Sequence, residues 1–259
     1  MLSSEDYLKI PKPNLDCYEV NTINNKNGIF DSIADITYII TMKNGNERHK
    51  KMYQQLEWFH PTKEVNIWYN EGYSRCEKLD GNGTIIDISY KDLTFTVMNI
   101  FQDALMKGFT RILVLEDDFV VSEKILDQHI QKDIADFILK NDPHIYYLGC
   151  FPYIITPNTI ISTHYKLFAA GSTHAVIYSN NAMLKLLKHY YSTENFKRDI
   201  DVMTLYDTSQ FTYHIPIINQ YYPETENKRT WGADVSQIEK AGITIHKWLI
   251  NKFSLDKEN

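Results

Sequence analysis

No apolar run in the chain approaches the roughly 18 residues that a membrane span needs, so no membrane-spanning helix is expected. Basic residues are in deficit, 27 Lys and Arg against 33 Asp and Glu, for a formal net charge of −6. That balance removes the electrostatic basis for sequence-independent nucleic-acid binding, which needs a basic surface to displace counterions. Cysteine is scarce: Cys17, Cys76 and Cys150 are scattered without CxxC spacing. Neither a zinc site nor a disulfide framework is expected from them, and a reducing compartment fits. The opening residues Met1 to Asp6 lack the basic segment and apolar stretch of a secretory signal and the Arg-rich pattern of a transit peptide. A cytoplasmic location is the expectation. The common phosphate-cradling motifs are missing too, since there is no GxxxxGK[ST] and no GxGxxG after a strand. Phosphate charge, if bound, must be met by a metal or by side chains. The absence of HExxH, of clustered Cys and His, and of GxSxG weakens hydrolase readings built on zinc or a serine nucleophile.

What is present suits one α/β domain with a large core: 259 residues, 43% hydrophobic and 23% charged. Residues 1–33, with Pro11, Pro13 and the mostly polar run Asn21 to Gly28, read as an irregular arm. Residues 34–259 read as one catalytic domain, with a nucleotide-binding half over 34–150 and an acceptor half over 151–259. Ile36 to Met42 is a β-branched, apolar run of strand length closed by a turn at Asn44-Gly45-Asn46, and a helix follows from about Glu47 to Phe59. Val65 to Tyr69 and Thr84 to Ile88 read as short strands. Leu93, Val97, Ile100, Phe101, Ala104 and Leu105 recur at helical spacing, with Gly108 placed as a C-terminal cap. Arg111 to Leu115 reads as a fully buried strand, residues 123–140 as a helix stopped by Asn141-Asp142-Pro143, and Ile145 to Gly149 as the next strand. Strands alternating with helices predict a largely parallel, Rossmann-like sheet covered on both faces by helices. In the second half, 165–168 and 173–178 read as strands, 180–189 as a helix and 200–208 as a short helix. The polar stretch 222–231 reads as a loop or lid.

The buried strand runs straight into Glu116-Asp117-Asp118. Unpaired buried carboxylates would cost several kcal/mol or titrate until neutral, so the triplet belongs at the sheet edge. In open α/β sheets ligands bind at the carboxyl ends of strands. Hard divalent cations favour oxygen ligands and bind phosphates through one or two carboxylates plus water. Strand alternation predicts Glu116 and Asp118 on one side and Asp117 on the other. A solvated acidic loop, or an N-terminal cap for the helix after Ser122, is the plain alternative.

The stretch Gly108-Phe109-Thr110-Arg111-Ile112-Leu113-Val114-Leu115-Glu116-Asp117-Asp118-Phe119 resembles the "alVLEDDv" signature of glycosyltransferase family 25, the lipopolysaccharide and collagen galactosyltransferase group. The acidic triplet is that family's form of the DxD motif. Ile36 to Thr41 followed by Asn46-Glu47-Arg48 looks like the family's opening strand and arginine-bearing helix. Gly171 to Met183 is similar to its later strand and helix start, and Ile200-Asp201-Val202-Met203 to its "VDxxL" segment. The resemblance spans residues 36 to about 220 and departs where a GCxxSH motif is usual, since this chain has Tyr90-Lys91-Asp92-Leu93-Thr94-Phe95-Thr96. It looks like a divergent member, and if the source is a virus the expected location is the host cytoplasm.

The resemblance implies a GT-A-like fold and an inverting, metal-dependent transfer of a hexose, galactose or glucose favoured, from a UDP-sugar to a glycan or protein-linked hydroxyl. Mn²⁺ or Mg²⁺ is assigned to Asp118 first and Glu116 second. Asp117, Arg48 and Ile40 are the candidates for contacting the nucleotide, with an exposed helix arginine as the plain account of Arg48. Asp201, with Asp199 in reserve, is the candidate general base, and helix capping is the competing role of both. His174 and His246 are candidate ligand or acceptor contacts, against a satisfied structural histidine. Trp231 could stack on a sugar, or simply anchor a loop. The rival functions are a non-catalytic glycan-binding or scaffold protein on the same fold, and a nucleotidyltransferase.

Overall fold

A computed structural model of the chain describes residues 12–80, 83–161, 163–192, 200, 204 and 207–221. The elements run β1 (Tyr18–Asn24), β2 (Ile36–Met42), α1 (Asn46–Leu56), β3 (Glu64–Asn70), α2 (Ser89–Met106), β4 (Arg111–Glu116) and β5 (Phe119–Val121). After a 3-10 turn (Glu123–Leu126) come α3 (Gln128–Asn141), β6 (Ile145–Ile161), β7 (His164–Ser179), α4 (Asn180–Ser192), β8 (Gln210–Tyr213) and β9 (Ile218–Gln220). Seven strands form one sheet in the order β1-β3-β2-β4-β7-β6-β8, and β5 pairs with β9 in a separate ribbon.

The α/β class read from the sequence is the class of the fold, a large central sheet flanked by helices. Parallel pairing holds β2 to both β3 and β4, and β6 to β8. From β4 to β7 and from β7 to β6 the pairing is antiparallel. The sheet is therefore mixed rather than largely parallel, and at β4 the parallel set β3-β2-β4 passes to antiparallel pairing with β7. Period-two alternation distributes β2 and β4 between two cores. Ile36, Tyr38, Ile40, Ile112 and Val114 pack with α2 and α4, through residues such as Phe101, Ala104, Leu186 and Leu187. Ile39, Leu113 and Leu115 pack on the other face with Met52 and Leu56 of α1 and with Ile134, Phe137 and Ile138 of α3.

Several sequence expectations change in detail. Tyr18–Asn24, inside the stretch read as an irregular arm, is an edge strand antiparallel to β3. Apart from Val20 its exposed residues are polar, and only Tyr18 and Ile23 of the run pack against the core. Thr84 to Ile88 contributes only an isolated bridge between Leu79 and Ile85. The helix expected over 123–140 is divided because Ser122 and Asp127 each cap a new start. Asp127 accepts from the His129 N–H at 2.8 Å, a cap of a kind that contributes about 1 kcal/mol. The expected terminators do act: Gly108 takes φ +78° just beyond α2, and Asp142 takes φ 44° beyond α3, both left-handed helix-ending conformations.

The reading of the cysteines is corrected. Cys17 and Cys76 form a disulfide, with their Cα atoms 5.8 Å apart across 59 residues of sequence. Two cysteines this far apart carry no spacing signal, and the chain reversal that joins them is tertiary. The bond removes the argument for a reducing compartment. Among the described residues no helix is long and apolar enough to cross a membrane.

Candidate active site at the end of β4

Ile112, Leu113, Val114 and Leu115 are each at most 2% exposed. Burying four such side chains stabilises by roughly 6–12 kcal/mol in total, at about 1.5–3 kcal/mol each, enough to hold β4 in the sheet centre despite the acids that follow it. Those acids stay close to the core, with Asp117 at 2% and Asp118 at 5% exposure. Two buried carboxylates need compensation, since the effective desolvation penalty is several kcal/mol per ion. It comes from Arg48, in the first turns of α1, whose guanidinium Nη2 pairs with Asp117 Oδ1 and lies 3.2 Å from Asp118 Oδ2. The plain account of Arg48 as an exposed helix residue therefore gives way: its side chain is only 20% exposed.

The expected division of the acids by strand alternation does not hold. β4 ends at Glu116, and Asp117 and Asp118 form the turn into β5, where the period of two lapses. Both aspartates consequently face Arg48, while Glu116 accepts from Thr173 Oγ1 of β7 at 3.5 Å. Asp117 is fully engaged, with Oδ2 accepting from Thr41 Oγ1 and its N–H donating to the Ile40 carbonyl at 3.0 Å. Ile40 itself is a core side chain, and its contribution here is that carbonyl. The geometry makes Asp117 a holder of Arg48.

Asp118 differs. Its Oδ2 accepts from Gln220 Nε2 at 2.9 Å as well as facing Arg48, and its carbonyl accepts the Tyr221 N–H at 3.0 Å. Its other oxygen, Oδ1, is buried with no hydrogen-bond partner among the described residues, and so are Arg48 Nε and the Tyr221 hydroxyl. A buried polar atom left without a partner costs about 1–3 kcal/mol, more when charged, so three such atoms around one carboxylate single this place out as the candidate site. Burial pushes the Asp118 carboxyl up to about 6, with Arg48 and the Gln220 amide pulling it down and Asp117 adding to the rise. Asp117 is also raised, by burial first, against Arg48 and Thr41. Burial works against the Arg48 charge, but Asp117, Asp118 and Glu116 outweigh it and hold the guanidinium protonated. Burial is also the main cause that pushes the Tyr221 phenol up to about 12.

Among the described residues, no group of three or more His, Cys, Asp and Glu side chains is arranged to hold a metal ion. The donor set therefore fits no all-protein cage. It does fit a hard cation shared with phosphate oxygens, for which one or two carboxylates suffice, because Asp118 Oδ1 is an oxygen without a partner among the described residues.

Sequence reasoning brought Glu116, Asp117, Asp118, Arg48 and Ile40 to one place, and the fold assembles all five there. It missed Thr41, Thr173, Gln220 and Tyr221. The last two reach the site through the β5–β9 ribbon, where Phe119 pairs with Gln220, and no local motif signals them. His174 is 1% exposed and bonded to Ser172 Oγ at 2.7 Å and the Ile218 carbonyl at 3.1 Å, as expected of a satisfied histidine. Asp199, Asp201, Trp231 and His246 lie outside the described residues.

No family model matches the chain, and no curated protein matches it. Among solved structures it is similar to a glycosyltransferase involved in the glycosylation of the major capsid of PBCV-1, at 14% identity and a TM-score of 0.40 over 76% of this chain and 97% of that one. It is similar to A197 from STIV at 9% identity and a TM-score of 0.39, over 74% of this chain and 86% of the other. A third likeness, at 9% identity and a TM-score of 0.38, is to mannose-1-phosphate geranyltransferase from Thermus thermophilus, over 77% of this chain and 79% of the other. With values this low, function has to be read from the site itself.

Proposed function

We propose that the end of β4 binds the diphosphate of a nucleotide sugar together with a divalent cation, and that the chain is a glycosyltransferase. The observation that carries this reading is Asp118 Oδ1, without a partner among the described residues, beside a buried arginine at the carboxyl end of β4. Open α/β sheets bind ligands outside the carboxyl ends of strands where the strand order reverses, and here β3 and β4 lie on opposite sides of β2.

Asp118 Oδ1 would hold Mn²⁺ or Mg²⁺, with Glu116 as the second candidate. Bound there, the cation supplies neutralisation of the charge that develops on the leaving diphosphate. Arg48 keeps a guanidinium beside the same charge, and its Nε, unpaired among the described residues, is a donor in reserve for a phosphate oxygen. Asp117 and Thr41 fix that guanidinium in place, so no reorganisation is required of it when charge develops. Lys51 Nζ lies 4.2 Å from the centre of the Tyr221 ring and adds a second cation three residues along α1 from Arg48. The general base remains assigned to Asp201, with Asp199 in reserve. UDP carrying galactose or glucose is the proposed donor, and a glycan or protein-linked hydroxyl the acceptor.

The test is a panel of nucleotide sugars assayed for slow metal-dependent hydrolysis. UDP should be released from one or a few donors, release should stop with a chelator, and Asp118→Ala should lower it by roughly a hundredfold, the scale lost with one group that stabilises developing charge. Carbohydrate binding with no hydrolysis of any donor would instead indicate a non-catalytic glycan-binding protein. Preference for a nucleoside triphosphate over every nucleotide sugar would indicate a nucleotidyltransferase.

A further inference from the structure

Asp118 lies in the turn beyond β4, where strand alternation no longer sets the direction of a side chain, so its carboxylate has to be oriented by its partners. Arg48 does not do this alone, because its Nη2 is shared between Asp117 and Asp118 Oδ2, 3.2 Å from the latter. The second contact to that oxygen is the Gln220 amide, whose Nε2 donates to it at 2.9 Å. The other oxygen, Oδ1, has no partner among the described residues.

The Gln220 amide is in turn held from three strands. On the β7 side, Ser172 Oγ donates to Gln220 Oε1 at 2.7 Å. Ser172 adopts φ +63°, a left-handed conformation uncommon for a residue with a Cβ and one that persists where the surrounding structure enforces it. On the β5 side, Gln220 pairs across the ribbon with Phe119, and the N–H of the next residue, Tyr221, donates to the Asp118 carbonyl at 3.0 Å. On the β6 side, the Ile217 N–H donates to the Leu148 carbonyl at 2.9 Å. This seat for β9 requires glycine at position 149, where a Cβ would stand 1.7 Å from the Ile218 carbonyl oxygen. β5, β6 and β7 thus converge on placing one amide against one carboxylate oxygen.

We propose that Gln220 is a positioning residue for Asp118, which by occupying Oδ2 fixes the carboxylate with Oδ1 left for the ligand. The inference rests on the reading of Asp118 Oδ1 as the atom that holds the divalent cation. A hydrogen-bonded partner of a ligating carboxylate sets its orientation before the cation arrives, and losing such a partner typically lowers metal affinity by roughly 10–100-fold. The reach of a glutamine is needed, because the same amide spans from β7 to the turn after β4.

The experiment uses the full chain and two variants. Gln220→Met keeps the length of the side chain and removes the amide, and Gln220→Glu keeps an acceptor for Ser172 while removing the donor to Asp118. The melting temperature is followed at fixed UDP as Mn²⁺ is titrated. The Mn²⁺ concentration that gives half of the rise should be roughly 10–100-fold higher in both variants than in the wild type. A role confined to folding would lower the melting temperature without ligand and leave that concentration unchanged, and this result would overturn the inference while the transferase reading stands. No rise in the wild type would overturn the reading of the site, and the role of Gln220 in holding a cation with it. A second measurement needs no ligand: in ¹H–¹⁵N spectra the Gln220 side-chain amide should shift in Asp118→Ala, and an amide signal that stays in place would overturn the inference by itself.

Discussion

Two buried polar clusters sit at the carboxyl edge of the sheet, and only one is closed. At the end of β3, the fully buried Lys78 amine donates to Asp92 Oδ1 and Asn70 Oδ1. Asp92 Oδ2 accepts from the Tyr73 N–H at 2.9 Å and from Asn70 Nδ2 at 3.3 Å. Every charge there has its partners, and the Cys17–Cys76 disulfide ties down the segment that brings Lys78 in. At the end of β4 the same ingredients, a buried cation and buried carboxylates, leave Asp118 Oδ1, Arg48 Nε and the Tyr221 hydroxyl without partners among the described residues. A satisfied cluster is a structural lock. An incompletely satisfied one leaves polar atoms open to a further partner, which the proposed reading takes to be the ligand.

The two clusters should respond oppositely to mutation. Asp92→Ala strands the Lys78 charge in the core and should cost about 3–5 kcal/mol, the range for breaking one side of a buried pair, as read from urea unfolding. A loss below about 1 kcal/mol would remove the distinction between lock and site. Reduction of the disulfide, or Cys76→Ser, should cost about 2–4 kcal/mol, seen as a lower melting temperature with reductant. At the other cluster, Asp118→Asn should change stability by less than about 1 kcal/mol, because it removes a buried charge while keeping an oxygen toward Gln220. The same substitution should abolish stabilisation by UDP with Mn²⁺.

The smallest effect concerns acid. Burial pushes Asp207 up, but the Ser209 N–H, His144 and Lys185 more than offset it, and its pKa is lowered in the folded chain. A depressed carboxylate contributes stability that is present above its unfolded value of about 3.9 and is lost as pH falls through the folded value. Stability measured from pH 5 down to pH 2 should therefore fall less steeply in Asp207→Asn than in the wild type. Parallel curves for the two proteins would mean that the Asp207 contacts contribute nothing.

The first half of the fold was legible because its signals are local. Ile36 to Met42 and Arg111 to Leu115 are apolar, of strand length and bounded by turns or acids, and Gly108 and Asp142 stop helices where sequence places the stops. The second half was not, because β6 and β7 extend past their apolar segments: the stretches read as 165–168 and 173–178 are one strand, joined through pairing with β6. In the site, Asp118 could be picked out because it follows a buried strand, and Arg48 because the strand and arginine-bearing helix at Ile36–Leu56 resemble the opening of a known family. Gln220, Tyr221 and Ser172 have no such context, since a β-ribbon and a left-handed serine deliver them. The Lys78–Asp92 lock was equally unreadable, as its residues are joined only by the turn after β3.

The most direct measurement is the melting temperature of the wild type with UDP, with Mn²⁺, and with both. A ligand at a hundred times its dissociation constant stabilises by about 2.7 kcal/mol, which for a domain this size is a rise of roughly 5–10 °C. The account predicts that rise only with UDP and Mn²⁺ together, and its loss in Asp118→Ala. No rise in the wild type, or the same rise in Asp118→Ala, would contradict it.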